Sequence, residues 1–272
     1  MALKSPLINV ITSAVTKASR ALRRDFNEVE KLQVSRKGPA DFVSTADRRV
    51  EKILIEELSA ARPDYGFLLE ESGEREGTGD RRFIIDPIDG TTNFLHSIPH
   101  FAISVAVEQK GELIAGVIYA PLTDELFWAE KGAGAYLNDY RLRVSARDKM
   151  ENSLFATGAP YLGRDGHEEF LADAREVMAA SAGIRRMGAA TLDLAWVAAG
   201  RYDGFWEEGL QPWDLAAGIL IVREAGGYVT DIKGGQDMIN TGSIIAANDR
   251  LHAPLERAIK RSRRNLKNAA TS

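Results

Sequence analysis

Phe83-Ile84-Ile85-Asp86-Pro87-Ile88-Asp89-Gly90-Thr91-Thr92-Asn93-Phe94 places four demanding kinds of chemistry side by side. The apolar run Phe83 to Ile85 reads as a strand that delivers Asp86, and Pro87, with no N–H to donate, ends the ladder there. Asp89 follows three residues after Asp86. Gly90 lets the backbone approach a ligand closely, and Thr91 and Thr92 bring hydroxyls and N–H groups to what reads as a helix start. Two carboxylates beside an anion cradle point to a metal that carries a phosphate.

Upstream, residues 1–24 have no uninterrupted apolar core and no clear cleavage site, so they do not read as a secretory signal. Leu7, Ile11, Ala14, Val15, Ala18 and Leu22 recur instead at the spacing of a surface helix. A second helix is predicted after Ser44 or Thr45, with Val50, Ile53, Leu54 and Leu58 on one face and Arg62-Pro63 as its stop. Asp47 then falls in its first turn, where a carboxylate is favoured by the helix dipole alone. Tyr65 to Leu69 reads as a strand that, like Phe83 to Ile85, empties into carboxylates, here Glu70 and Glu71. Adjacent acids by themselves read as surface residues; the repetition is what singles them out. Gly73 to Asp80 reads as a mobile loop.

Downstream, strands are predicted at Phe101 to Val107, Leu113 to Tyr119, Leu126 to Ala129 and Leu142 to Val144, with short turns between them that favour antiparallel neighbours. From Leu154 onward strands and helices largely alternate. Helices are expected at Glu168 to Ala180, Ala190 to Ala199, Trp213 to Ala225 and Leu251 to Lys260, and strands at Leu154 to Ala156, Ile184 to Met187, Gly204 to Trp206, Tyr228 to Thr230 and Ile244 to Ala247. The change of rhythm divides the chain into an α+β half, residues 1–145, and an α/β half, residues 146–272, within one compact unit. Asp214 stands at the start of its helix and reads as an N-cap, a role that leaves its second oxygen free for another ligand.

Composition narrows the chemistry. The chain has 272 residues, 44% of them hydrophobic, and a formal net charge of −4, which argues against a general nucleic-acid-binding face. The basic run from Lys260 to Lys267 reads as a solvated helix end. Cysteine is absent, which removes disulfides, thiolate zinc sites and cysteine nucleophiles and makes a cytoplasmic address the default. No run reaches the roughly 18 to 20 apolar residues of a membrane span. The histidines lack HExxH spacing, and neither GxSxG nor a Walker A loop is present. Carboxylates remain, and hard oxygen ligands suit Mg²⁺, Mn²⁺ or Ca²⁺.

With these residues assembled, the chain resembles the inositol monophosphatase family. The matching pieces are Asp47 in STAD, Glu70-Glu71-Ser72, Asp86 to Phe94, Gly188-Ala189-Ala190, Glu207, Trp213-Asp214 and Glu224-Ala225-Gly226-Gly227, in family order; the segment from Met187 to Asp214 is most similar to the bacterial extragenic-suppressor branch. The resemblance implies a layered αβαβα sandwich of the inositol monophosphatase and fructose-1,6-bisphosphatase type, with an antiparallel first sheet and a smaller mixed second one, commonly as a homodimer. It implies Mg²⁺-dependent, Li⁺-sensitive hydrolysis of phosphate monoesters such as inositol 1-phosphate, with two or three ions and Mn²⁺ as a substitute. Glu70, Asp86 and the Ile88 carbonyl would hold one ion, Asp86, Asp89 and Asp214 a second, and Glu70 with water a third. Thr91, paired with Asp47, would orient or deprotonate the attacking water, so that Asp47, Glu70 and Thr91 are the expected catalytic residues. N–H groups of Gly90, Thr91 and Thr92 would hold phosphate oxygens, while Gly188, Ala189, Ala190, Glu207 and Asp214 would line the alcohol and Arg185 would add a contact.

Leu69 departs from the pattern, since many relatives carry Gly before the acidic pair. Phosphatases of fructose 1,6-bisphosphate, adenosine bisphosphates or histidinol phosphate are the nearest enzymatic alternatives. Relatives of the bacterial branch have been linked to ribosomal RNA synthesis, so a surface for RNA polymerase or its accessory factors is the alternative from another class.

Overall fold

The computed structural model describes residues 3–29, 34–38 and 41–270. Helix α1 (Pro6–Phe26) starts where Ser5 accepts the N–H of Ile8 and Pro6 occupies the first turn, a position that needs no N–H. Strands β1 (Val34–Gly38) and β2 (Asp41–Ser44) form an antiparallel pair leading into α2 (Thr45–Ala61). Ser44 caps α2, and Asp47 returns the bond to the Ser44 N–H, a reciprocal capping box.

The first large sheet has eight strands in the order β10-β9-β8-β7-β6-β5-β3-β4. They are β3 (Gly66–Leu69), β4 (Gly73–Arg75), β5 (Arg81–Asp89), β6 (Ala102–Gln109), β7 (Glu112–Ala120), β8 (Glu125–Glu130), β9 (Gly134–Leu137) and β10 (Tyr140–Arg141). Every neighbouring pair is antiparallel except β3 and β5. Alternation along β5 sorts its side chains: Phe83 and Ile85 pack into the core under α1 and α2, whereas Ile84 faces the opposite layer.

That opposite layer is α5 (Ala190–Ala198) and α6 (Pro212–Glu224), preceded in the chain by α3 (Thr91–Leu95) and α4 (His167–Ala180). Both α5 and α6 are apolar nearly all round, because a sheet covers each of their sides. The second sheet, in the order β12-β11-β13-β15-β14, is mixed. Its strands are β11 (Leu154–Thr157), β12 (Gly183–Arg185), β13 (Gly204–Glu208), β14 (Tyr228–Thr230) and β15 (Ser243–Ala247). A short α7 (Met238–Thr241) precedes β15, and α8 (His252–Ala270) packs with α4 on the outer face through Val177, Leu251, Leu255 and Ile259. The result is a five-layer αβαβα sandwich. No helix among the described residues is long and apolar enough to cross a membrane.

Several local expectations are corrected. Pro87 does not end β5; the strand continues to Asp89 through a bulge, Asp86 facing Ser104 and Asp89 facing Ala102, so the missing N–H is absorbed where the ladder is already interrupted. Gly73 to Arg75, read as loop, forms the edge strand β4. Leu142 to Val144 is not a strand; the chain pairs earlier, at Tyr140–Arg141 against Tyr136 and Leu137. Helix α8 runs ten residues beyond Lys260, to Ala270, and its basic residues are not simply solvated: Arg261 bonds Glu176, and Arg263 bonds both Asp173 and Glu208. Leu69, where many relatives carry Gly, is fully buried in the core beneath α1 and α2.

Candidate active site

The parallel pairing of β3 with β5 brings the first two acids together. Leu69 lies opposite Ile85, and the N–H of Glu70 donates to the Ile85 carbonyl at 3.3 Å, so Glu70 leaves its strand beside Asp86. Two apolar strands running in the same direction thus discharge carboxylates at one edge. The bulge then re-aims Asp89. Asp86 Oδ1 accepts the Ile88 N–H at 2.9 Å, which fixes the turn between them. Gly90 sits at φ 90°, and a Cβ there would lie 3.0 Å from the His100 carbonyl, so both conformation and space favour glycine.

Thr91 opens α3. Its hydroxyl lies 3.0 Å from the Ile88 carbonyl and 3.3 Å from Asp47 Oδ1, and its single proton is shared between these acceptors. Asp47 is fully buried. Its other oxygen accepts the N–H of Ser44 at 2.8 Å and the Ser44 hydroxyl at 2.6 Å, so the capping box that starts α2 also orients the carboxylate towards Thr91. Structural and functional roles coexist in one side chain.

Asp214 arrives from the other side. The N-cap of α6 is Gln211, not Asp214, which lies three residues inside and accepts the Gln211 N–H through Oδ2 at 2.7 Å. Asp89 accepts the Thr191 N–H at 2.8 Å and, in a shorter bond, the Thr191 hydroxyl, both at the start of α5. Asp86, Asp89 and Asp214 each offer an oxygen within 4.8 Å of the others, a group able to hold a metal ion.

Burial raises the affinity of all three for protons. For Asp86 the charges of Glu70, Asp89 and Asp214 add to the burial. Burial pushes Asp89 up to about 6, against the Thr191 hydroxyl and the N–H groups opening α5. Asp214 is pushed up to about 7 by burial and then by Asp89. A cation is the natural neutraliser of such a set, and an all-oxygen donor set of carboxylates suits a hard divalent ion.

A cleft of 670 Å³ opens above the acids and is lined by Glu70, Asp89, Gly90 to Asn93, Gly188 to Ala190, Glu207 and Asp214 among others. Glu207, on β13, is half-buried, and its carboxyl is pushed up to about 8 by burial and then by Asp214. Gly158 allows this close packing, because a Cβ there would overlap the Glu207 carboxylate at 1.8 Å.

Arg185 is a correction. It is exposed, donates to the adjoining Ile184 carbonyl, and does not line the cleft; Arg186 does. Arg164, Thr191 and Asn93 are further residues that sequence reasoning passed over. Asn93 Nδ2 donates to the carbonyls of His100 and Met187, both at 2.8 Å, tying the turn after β5 to the wall carrying Gly188. Thr191 carries a faint signal, a hydroxyl residue in a helix's first turn after Gly188-Ala189-Ala190. Arg164 carries none.

Comparison with known proteins identifies the family. The description "Inositol monophosphatase family" matches residues 3–266. An inositol-1-monophosphatase of Rhizobium meliloti is 56% identical over 259 residues, 95% of this chain and 97% of that protein. The Nus factor SuhB of Escherichia coli K12 is 43% identical over 247 residues, 90% of this chain and 92% of that one. The crystal structure of the extragenic suppressor protein suhB from Bartonella henselae superposes with a TM-score of 0.92 at 58% identity, covering 94% of this chain and 99% of that one. By matched length, identity and superposed fold alike, the chain belongs to the inositol monophosphatase family.

Proposed function

We propose that the protein is a Mg²⁺-dependent phosphomonoesterase that converts inositol 1-phosphate and water to inositol and phosphate, with tolerance for other polyol and sugar phosphates. The observation that carries this reading is the convergence of Asp86, Asp89 and Asp214, from two distant segments, beside a Thr91 hydroxyl already bonded to a buried Asp47. Glu70, Asp86 and the Ile88 carbonyl are assigned to one ion, and Asp86, Asp89 and Asp214 to a second, with a third weaker ion resting on Glu70; Mn²⁺ is an expected substitute. The Ile88 carbonyl fits this role because a carbonyl oxygen has two lone pairs and Thr91 uses only one. When bound, such ions lower the pKa of the attacking water and neutralise the leaving alkoxide.

The chain's own residues do the positioning. Asp47 accepts from the Thr91 hydroxyl, so that Thr91 can orient the water in line with the phosphorus, or take its proton while passing its own to Asp47. The N–H groups of Gly90, Thr91 and Thr92 hold the non-reacting phosphate oxygens, since phosphoryl transfer leaves the protein mainly electrostatic work. Gly188, Ala189 and Ala190 present backbone to the alcohol, and Glu207 and Asp214 accept from its hydroxyls.

The relative from Rhizobium meliloti, an inositol-1-monophosphatase by name, supports the substrate. The test is phosphate release from inositol 1-phosphate, fructose 1,6-bisphosphate, adenosine bisphosphate and histidinol phosphate, with and without Li⁺. Inositol 1-phosphate should rank among the best substrates and Li⁺ should inhibit; a place among the poorest overturns the substrate assignment.

A second reading is favoured by the Escherichia coli relative named a Nus factor: a surface that binds the transcription machinery independently of catalysis. Pull-down with an Asp89→Asn variant should recover RNA polymerase or its accessory factors; recovery of no transcription component counts against it. The proposed setting for both activities is the cytoplasm, with the protein as a homodimer.

A further inference from the structure

The segment between β11 and α4, residues 158–166, forms one wall of the cleft through Gly158, Tyr161, Arg164 and their neighbours. Arg164 ties it to the opposite side. Arg164 Nη1 donates to the Gly209 carbonyl at 2.7 Å, two residues beyond Glu207, while Nε and Nη2 donate to the Tyr161 hydroxyl at 3.1 and 2.8 Å. The guanidinium also lies 5.1 Å from the centre of the Tyr161 ring, so it is held both along its edge and over an aromatic face.

Three features separate Arg164 from an ordinary surface arginine. No carboxylate forms an ion pair with it among the described residues, although such residues supply many ion pairs elsewhere. It nevertheless lines the same cleft as the carboxyl groups of Asp214 and Glu207. Finally, a guanidinium has five N–H donors, and the three bonds above leave two unused.

We propose that Arg164 is a specificity-determining residue that recognises the hydroxyl-rich alcohol of the substrate, donating paired N–H groups to adjacent hydroxyl oxygens while Glu207 accepts from the same alcohol. The assignment rests on the phosphomonoesterase reading above. A polyol suits this pairing because each hydroxyl both accepts and donates, so a guanidinium and a carboxylate bordering one subsite can bind neighbouring hydroxyls together. An aryl phosphate offers neither group an alcohol hydroxyl. The Arg164 link to Gly209 therefore makes the 158–166 segment a wall fitted to polyols, while the metal-binding acids serve any phosphate ester.

The test is the ratio of kcat/KM for a polyol phosphate to kcat/KM for p-nitrophenyl phosphate, measured with saturating Mg²⁺ for the parent protein, Arg164→Met and Arg164→Lys. Inositol 1-phosphate and glycerol 2-phosphate are the two polyol esters. Loss of a charge-assisted pair of hydrogen bonds is expected to lower the ratio at least about 10-fold in Arg164→Met, chiefly through KM. Arg164→Lys, which keeps the charge without the planar fork, should fall between. Activity on p-nitrophenyl phosphate and the melting curve report whether each variant is folded. An unchanged ratio in Arg164→Met, whatever the absolute rates, overturns the assignment. If the parent protein hydrolyses p-nitrophenyl phosphate but not inositol 1-phosphate, the substrate reading fails instead, and the glycerol 2-phosphate ratio decides the role of Arg164.

Discussion

Asp89 has two tasks, and they are chemically separable. One oxygen is committed to Thr191 at the start of α5, which leaves the other for a metal. Asp89→Asn should preserve the fold but lower Mg²⁺-dependent turnover at least about 100-fold, because a ligand balancing the developing charge is lost; near-normal turnover would exclude the proposed two-ion arrangement. Thr191→Val removes only the hydroxyl bond that orients Asp89. Outer-shell changes of this kind weaken metal affinity by roughly 10- to 100-fold, so the Mg²⁺ concentration for half-maximal activity should rise while activity recovers at high Mg²⁺. Failure to recover would mean that Thr191 does more than orient. The acids themselves were legible in the sequence because each follows an apolar run or opens a helix. Arg164 and Arg186 were not, since each reaches the cleft only through chain crossings that no local pattern encodes, and Thr191, buried behind Asp89, left only a faint trace.

Helix α8 shows how an element's ends can be misread. The run Lys260 to Lys267 looks like a solvated terminus, yet Arg263 lies across Asp173, whose side chain is 1% exposed, and reaches Glu208, the neighbour of Glu207. Burial raises the proton affinity of Asp173 despite the opposing bonds from Arg263 and Ser262. Removing one partner of a buried pair is costly, typically about 3–5 kcal/mol, because the remaining charge keeps its desolvation cost. Arg263→Ala should therefore lower stability by several kcal/mol in urea denaturation and loosen the edge of β13 beside the cleft; a loss below about 1 kcal/mol would show that Asp173 is satisfied without it. Periodicity locates such helices well, since Leu255 and Ile259, with Leu251 just before the helix, mark the buried face of α8. It says nothing about which cation along that face finds a partner ninety residues away in the sequence. Strand β5 teaches the complementary lesson, because Pro87 signals interruption correctly but a bulge, with β6 alongside, carries the strand past it.

Across the whole molecule, the αβαβα stack exists to bring β3, β5, α5 and α6 to a single point, and that point is electrostatically unfavourable without a cation. Asp86, Asp89 and Asp214 all hold protons more tightly in the folded state than in an unfolded chain, where an aspartate titrates near about 4. Between about pH 4 and 7 the metal-free folded state thus binds more protons than the unfolded one, so its stability falls as pH rises through that window; Glu207 extends the fall towards about 8. Metal binding requires the deprotonated acids, so stabilisation by Mg²⁺ should grow over the same range. Melting curves of chelator-treated protein should show Tm falling from pH 5 to pH 8 and a widening gap to the Mg²⁺-loaded protein; equal Tm values with and without Mg²⁺ at pH 8 would contradict this. The layered architecture was readable from the change in strand and helix rhythm together with the family resemblance, whereas the parallel β3–β5 pair that sets Glu70 beside Asp86 was visible only as two apolar runs ending alike. The most direct measurement is the initial rate of phosphate release from inositol 1-phosphate as Mg²⁺ is restored to chelator-treated protein. No turnover is expected without metal, and a saturable rise with Mg²⁺ that Asp214→Asn abolishes; metal-independent hydrolysis, or none at any Mg²⁺ concentration, would rule out a metal-dependent phosphatase site.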